Sequence, residues 1–213
     1  MTLNIGLIDY GMGNLHSVDQ SFSRLNQPLK LVKRPEDLKG CQALILPGVG
    51  AFDPAMENLA KTNLIPELKN WVNDERPLLG ICLGLQLLFE SSDEGQRDGL
   101  GFLKGEIKHL PRNKKELIPH IGWALLNQHK DCPLFKKNPN KQWMYFVHSY
   151  AAVPSNPQEV ASSVDFGDEK ITAVIWSKRL SACQFHPEKS GESGAKLLAN
   201  WLDWLKKETR ILY

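Results

Sequence analysis

The chain has 213 residues, 42% of them hydrophobic, and carries 26 Lys and Arg against 24 Asp and Glu for a net charge of +2. That apolar content is enough to fill one core, so residues 1–213 are read as a single domain, and so balanced a charge points to neither nucleic acid nor an anionic membrane as a partner. No stretch approaches the roughly 18 consecutive apolar residues of a spanning helix, and the opening MTLNIGLIDYG lacks the pattern of a secretory leader.

Along the first half, strand-like and helix-like segments alternate. LNIGLIDYG reads as a buried strand closing in a glycine turn, followed by a helix over residues 15 to 26. PLKLVKR is a second strand and QALILPGVG a third, ending in another glycine loop. Residues 53 to 74 read as helical with a break at Pro66, and RPLLGI makes a fourth strand ahead of Cys82. Strand, crossover helix, strand is the pattern of an α/β protein with a mainly parallel sheet. The second half is different: GFLKGEIKHLPR, KQWMYFVHSYAAVP, EVASSVDFG and KITAVIWSKRLSACQFHP are short strands joined by turns, an antiparallel or mixed extension. An amphipathic helix from about Gly194 to Lys207 closes the chain.

Ligands of open α/β sheets bind beyond the carboxyl ends of the strands, which directs attention to DYGMGN, PGVG and GICLG. GMGNLH lacks the third glycine of a dinucleotide fingerprint, His16 standing there, so a tight turn or a partner-contact loop explains it better. PGVG, Pro47 to Gly50, is either a plain turn or a loop able to aim N–H groups at a developing oxyanion.

The four cysteines, Cys41, Cys82, Cys132 and Cys183, are far apart with no CxxC pair and read as free thiols in a reducing cytoplasm. Gly80-Ile81-Cys82-Leu83-Gly84 has the spacing of a nucleophile elbow with sulfur in place of oxygen. Such a turn sets the thiol near a helix N-terminus and makes the N–H of Leu83 an oxyanion donor. A buried cysteine on an apolar strand is the alternative. A base is available in QFHPEKS: Pro187 biases His186 to extended backbone, where His186 and Glu188 share a side and the carboxylate can orient the imidazole. A structural histidine remains open there, whereas a metal site through Cys183 and His186 lacks a second ligand pair. His16, His109, His120, His129 and His148 have no comparable partner nearby in sequence.

Taken in this order, PGVG, GICLGLQLL and FHPEKS resemble the class I (triad) glutamine amidotransferases over residues 5 to about 200. IDYGMGNLHSV, IPHIGW and YFVHSY are most similar to the glutaminase subunits of imidazole glycerol phosphate synthases of histidine biosynthesis. The resemblance implies an open three-layer sandwich, mainly parallel sheet with an antiparallel extension, that needs no cofactor and no metal. It implies that Cys82 attacks the side-chain amide of L-glutamine, with His186 moving protons and Glu188 orienting it. The backbone N–H groups of Val49 and Leu83 would bind the oxyanion after the PGVG peptide reorients. Gly50, Gln86, Ser149 and Tyr150 match positions that hold glutamine. The partner implied is a (β/α)₈-barrel cyclase subunit in a heterodimer. It receives ammonia and makes imidazole glycerol phosphate and an aminoimidazole carboxamide ribotide from a phosphoribulosyl-formimino precursor. Asn14, Trp123, Tyr145 and Lys189 match the face that meets it, although for Trp123 core packing explains the residue equally well. A paralogous glutaminase feeding another barrel synthase, as in amidation of a surface sugar, is the alternative. A partner-binding member without activity would not need all three triad residues, and a cysteine peptidase leaves Gln86 and the Ser149-Tyr150 pair unexplained. This chain departs from the resemblance at Ala124, where Asn is usual, which bears on coupling to the partner and not on the triad. A transposed Pro-Asp order in GAFDPAM reads as a helix-start variation.

Overall fold

The computed structural model describes residues 3–112, 116–136 and 142–211, with side chains up to residue 208. In chain order its elements are β1 (Ile5–Ile8), α1 (Leu15–Ser23), β2 (Leu29–Val32), β3 (Ala43–Leu46), α2 (Phe52–Lys61), α3 (Ile65–Asn73), β4 (Leu78–Ile81) and α4 (Leu83–Leu87). There follow β5 (Ser91–Ser92), β6 (Gly105–His109), β7 (His120–Leu125), β8 (Asn127–Gln128), β9 (Trp143–His148) and β10 (Tyr150–Pro154). The chain then runs through β11 (Val160–Phe166), β12 (Glu169–Ser177), β13 (Leu180–Cys183) and α5 (Gly191–Ile211).

Eight strands form the central sheet in the order β2-β1-β3-β4-β13-β12-β11-β8. From β2 to β13 neighbours run parallel, and from β13 outward to β8 they run antiparallel. The strands at its centre are apolar on both faces because both are covered. Ile5, Leu7, Ala43, Ile45, Leu79 and Ile81 pack with Val18 and Phe22 of α1 and with Leu197, Trp201 and Leu205 of α5. Ile8, Leu44, Leu46 and Leu78 face the opposite way, onto Phe52 and Leu59 of α2, Trp71 of α3 and Leu85 of α4. The period-two alternation of strand side chains thus creates the three layers. Smaller sheets flank them: β10-β6-β5, and the two-stranded ribbon of β7 and β9.

The reading from sequence holds for the four parallel strands and the antiparallel extension, with local corrections. The helical stretch after PGVG is two helices divided at residues 62–64, where Asn63 has a φ of 58°, and Pro66 sits in the first turn of α3 rather than at the break. Proline suits that turn because its missing N–H would have no acceptor there. The last helix extends further at both ends than Gly194 to Lys207. IPHIGW, used only as a motif, contains a strand, β7, whose pattern is masked by Gly122 and by apolar residues that face outward.

Candidate active site

The elbow forms as its glycines require. β4 is buried at all four positions and leads directly into Cys82, whose φ of 55° and ψ of −112° lie where a non-glycine residue is strained. A Cβ on Gly84 would sit 1.9 Å from the carbonyl oxygen of Leu46, and one on Gly80 would touch the backbone of Gly84 at 3.0 Å. Glycine at 84 lets the turn pack against the end of β3, and glycine at 80 leaves room for the start of α4. α4 has five residues, so whatever its dipole lends the sulfur is small.

Neighbouring strands bring the base to the thiol. β13 runs parallel beside β4 with Cys183 opposite Ile81, and the ladder continues one step further, Cys82 N–H donating to the Cys183 carbonyl at 2.8 Å. Three residues on, His186 has extended backbone, and its Nδ1 meets Oε1 of Glu188 at 2.7 Å with both side chains buried. The contact predicted from the tripeptide is present, but not along an extended strand: Pro187–Lys189 is a 3-10 turn that curls the carboxylate back under the ring. Ser190 secures this turn by donating to the His186 carbonyl at 2.6 Å, while its own oxygen accepts from Tyr145 N–H at 3.0 Å. Burial disfavours the imidazolium, yet hydrogen bonds to Cys82 and Glu188 outweigh it and hold His186 up at about 10. Oε2 of Glu188 is buried without a hydrogen-bond partner among the described residues. This constellation can deprotonate a thiol, carry the proton to a leaving group and keep the imidazole in one tautomer.

The oxyanion donors expected from sequence are both occupied. Leu83 N–H donates to the Gly48 carbonyl at 3.3 Å, and Val49 N–H donates to the Met12 carbonyl at 3.3 Å. These two bonds belong to one peptide unit, Gly48–Val49, so turning that single plane releases both N–H groups. Tyr10 anchors the preceding peptide, its hydroxyl donating to the Pro47 carbonyl at 2.8 Å, and burial raises its phenol well above the usual range. Gly50, at φ 99°, has Met12 against it: a Cβ there would lie 2.7 Å from the methionine methyl.

Around the thiol runs a buried amide network. Gln86 donates through Nε2 to the Tyr150 carbonyl at 3.0 Å and to Oε1 of Gln184 at 3.2 Å, leaving its own Oε1 without a donor among the described residues. Gln184 in turn reaches the Cys82 sulfur with Nε2, at 3.9 Å. The Tyr150 carbonyl also accepts from Nδ1 of His148 at 2.8 Å, and Nε2 of His148 faces Nδ1 of His120 at 3.3 Å. His120 and His148 therefore do have partners: β7 and β9 pair them across the ribbon. Burial drives His148 down to about 4, so it is a neutral ring whose bare nitrogen accepts from His120. Ser149 sits at the β9–β10 junction, its carbonyl accepting from Leu110 N–H at 2.8 Å.

The outward face of the ribbon carries Ile121, Trp123, Trp143 and Val147, all exposed, with Trp123 at 52%. Trp123 lies opposite Tyr145, the rings 6.0 Å apart and edge to face. Core packing is thereby ruled out for Trp123. Ala124 faces the other way, against the buried core, so this departure does not remove a group from the outward face. Lys189 is exposed at the end of the turn carrying Glu188, and Asn14 caps α1 by accepting from Ser17 N–H at 3.3 Å.

Compared with known proteins, residues 6–204 match the sequence signature of Glutamine amidotransferase class-I. The chain belongs to this family. Among curated proteins, one from the SARG strain of Prochlorococcus marinus, named imidazole glycerol phosphate synthase subunit HisH, is 73% identical with all of both chains covered. A protein of the same name from strain MIT 9211 is 62% identical, again over 100% of each chain. Solved structures agree on the fold: a glutamine amidotransferase has a TM-score of 0.74 at 19% identity, covering 95% of this chain and 98% of its own. PurLQS from Thermotoga maritima has a TM-score of 0.75 at 19% identity, covering 96% and 100%.

Around this candidate site, reasoning from sequence missed Tyr10, His148 and Gln184. Tyr10 has no sequence signal, because its partner is 37 residues away, and for His148 the side-chain partner is 28 residues away while the nearer one, Tyr150, meets it through a backbone carbonyl. Gln184 did have one: it stands two residues before His186 on an extended segment and so faces the same way.

Proposed function

We propose that this chain is the glutaminase subunit of imidazole glycerol phosphate synthase, a cytoplasmic enzyme of histidine biosynthesis working with a barrel cyclase. The observation that carries this reading is the end-to-end likeness, 73% identity over all 213 residues, to a protein bearing that name. The site supports the chemistry. Cys82, its proton passed to His186, attacks the γ-carboxamide carbon of L-glutamine, forming a C–S bond and a tetrahedral oxyanion. His186 gives the proton to the departing nitrogen, the C–N bond breaks and ammonia leaves. Water, deprotonated by His186, then attacks the thioester, and glutamate and the thiol are released. Glu188 holds the imidazole throughout, and the thioester divides one difficult hydrolysis into two easier steps.

Val49 and Leu83 N–H groups receive the oxyanion only after the Gly48–Val49 peptide turns. Two neutral hydrogen bonds hold it back, each worth about 1 kcal/mol, so the turned form is on the order of a few per cent of the population. The free subunit is accordingly nearly silent, and the cyclase, when loaded with its own ligand, shifts that population. Gln86, through its Oε1, binds the substrate together with Gly50, Ser149 and Tyr150. The outward ribbon face of Ile121, Trp123 and the half-buried Tyr145, with Asn14 and Lys189, makes the docking face. An apolar, aromatic centre with a polar edge is the anatomy of a specific interface.

Reconstitution with the cyclase subunit tests this. Glutamine should support formation of imidazole glycerol phosphate, and Cys82→Ala should abolish that while leaving assembly and ammonia-dependent cyclisation intact. A Cys82→Ala complex that hydrolyses glutamine at the wild-type rate would overturn the mechanism.

A further inference from the structure

Gln184 is wholly buried and belongs neither to the triad nor to the residues assigned to the substrate. A buried primary amide must place two N–H donors and one carbonyl acceptor, and it is ordinarily uncertain which way it faces. Here the network decides. Gln86 Nε2 donates one hydrogen to the Tyr150 carbonyl and the other to Gln184, so the atom of Gln184 it meets is the acceptor. That leaves the NH₂ of Gln184 turned to the Cys82 sulfur, 3.9 Å away. Flipped, the amide would set two NH₂ groups against each other and point a carbonyl oxygen at the sulfur.

The backbone explains why this side chain arrives there. Gln184 N–H donates to the Ala173 carbonyl at 2.9 Å, carrying on the ladder of β13. Gln184 and His186 project to one side of this extended segment, whereas Phe185 turns to the other and packs edge to face on Phe146, centroids 5.4 Å apart. The same three residues therefore send both a proton acceptor and a neutral donor to one sulfur atom.

We propose that Gln184 is a positioning residue for the nucleophile: its amide N–H steadies the charged sulfur of Cys82 and couples it to Gln86. The proposal rests on the glutaminase reading and deepens it. An N–H donor favours thiolate over thiol, because only the charged form accepts a strong hydrogen bond. The contact, at 3.9 Å, tightens as the sulfur takes charge. A substrate that engages Oε1 of Gln86 would also polarise the Gln86 amide against Gln184, so occupancy of the glutamine pocket is felt at the sulfur.

The test is alkylation of the full-length chain by iodoacetamide at pH 7, followed at Cys82 by peptide mass spectrometry, beside glutaminase kinetics of the complex. Gln184→Met keeps the length and removes the donor. It should slow Cys82 alkylation about five- to tenfold, as expected for one long hydrogen bond to a charged group. The kcat should fall by a similar factor with KM for glutamine within about twofold. Gln184→Glu keeps the acceptor for Gln86 but sets a carboxylate at the sulfur, and should be slower still. If the Gln184 variants do not fold, Gln86→Leu serves instead: it frees the Gln184 amide to rotate, and should slow alkylation about two- to threefold.

A residue serving only to fill space would lower the unfolding temperature and leave alkylation unchanged. Alkylation at the wild-type rate in folded Gln184→Met, or in Gln86→Leu where that serves, overturns the proposal. Wild-type labelling separates the two readings: if full modification of Cys82 leaves glutaminase activity intact, the glutaminase mechanism fails and the proposal with it. If labelling abolishes activity but Gln184→Met alkylates normally, the proposal alone fails.

Discussion

Replacing His148 by Asn should make the protein markedly less sensitive to acid. In the unfolded chain this imidazole takes a proton near 6.5, whereas burial among Phe146, His120 and the ribbon lowers it to about 4 in the folded protein. Between those values the unfolded state binds more protons, so stability falls as the pH drops through that window. The whole penalty is about 3 kcal/mol, of which about 2 kcal/mol accrues between pH 7 and pH 5. Asn puts a donor where Nδ1 meets the Tyr150 carbonyl, so it keeps that bond while removing the titration. Urea unfolding of both proteins at pH 7 and pH 5, followed by tryptophan fluorescence, measures the difference directly. Contributions common to both proteins cancel, and the variant should lose about 2 kcal/mol less than the wild type over this interval. Equal losses, to within about 0.5 kcal/mol, the error of such measurements, would refute a neutral buried His148.

Three other perturbations probe the site and its surroundings. Glu188→Gln keeps an acceptor for His186 but removes the charge that helps to hold its proton. The kcat should fall by about two to four orders of magnitude in steady-state assays of the complex. Its stability contribution, present at neutral pH and lost as the pH rises toward 10, should shrink when wild type and variant are unfolded at pH 7 and pH 9. Gly48→Ala would set a Cβ 2.7 Å from the Tyr10 hydroxyl and 2.8 Å from Gly84 N, so it should impair partner-stimulated glutaminase at least tenfold while ammonia-dependent turnover by the cyclase persists. Trp123→Ala, on the exposed ribbon face, should weaken cyclase binding about tenfold or more by calorimetry and leave the urea midpoint of the free subunit nearly unchanged.

What the sequence revealed and what it concealed follow from the range of the interactions. Cys82 could be found because a strained turn needs small neighbours, and Gly80 and Gly84 record that need in the sequence. His186 and Glu188 could be paired because both lie in one tripeptide, although the turn that joins them was read as extended backbone. The occupied state of the oxyanion donors could not be read, since Met12 and Val49 come from loops of different strands. The same holds for His120 and His148, which meet only because β7 and β9 pair with one register. Trp123 remained ambiguous for the opposite reason: an outward apolar residue and an inward one look alike until the ribbon's face is known.

The strand bearing the base has a consequence for how the protein is made. β13 is inserted in the middle of the sheet, between β4 and β12, and its ladder reaches Cys82 from a position about a hundred residues later in the chain. On the ribosome, β1 to β4 can assemble long before β13 emerges, and during that time the elbow has no imidazole beside it. Pairing over such a separation is slow. On the mechanism proposed above, a nascent chain would therefore be inert toward glutamine until nearly all of it has been synthesised, and a truncated product that stops short of His186 would carry a thiol without its base.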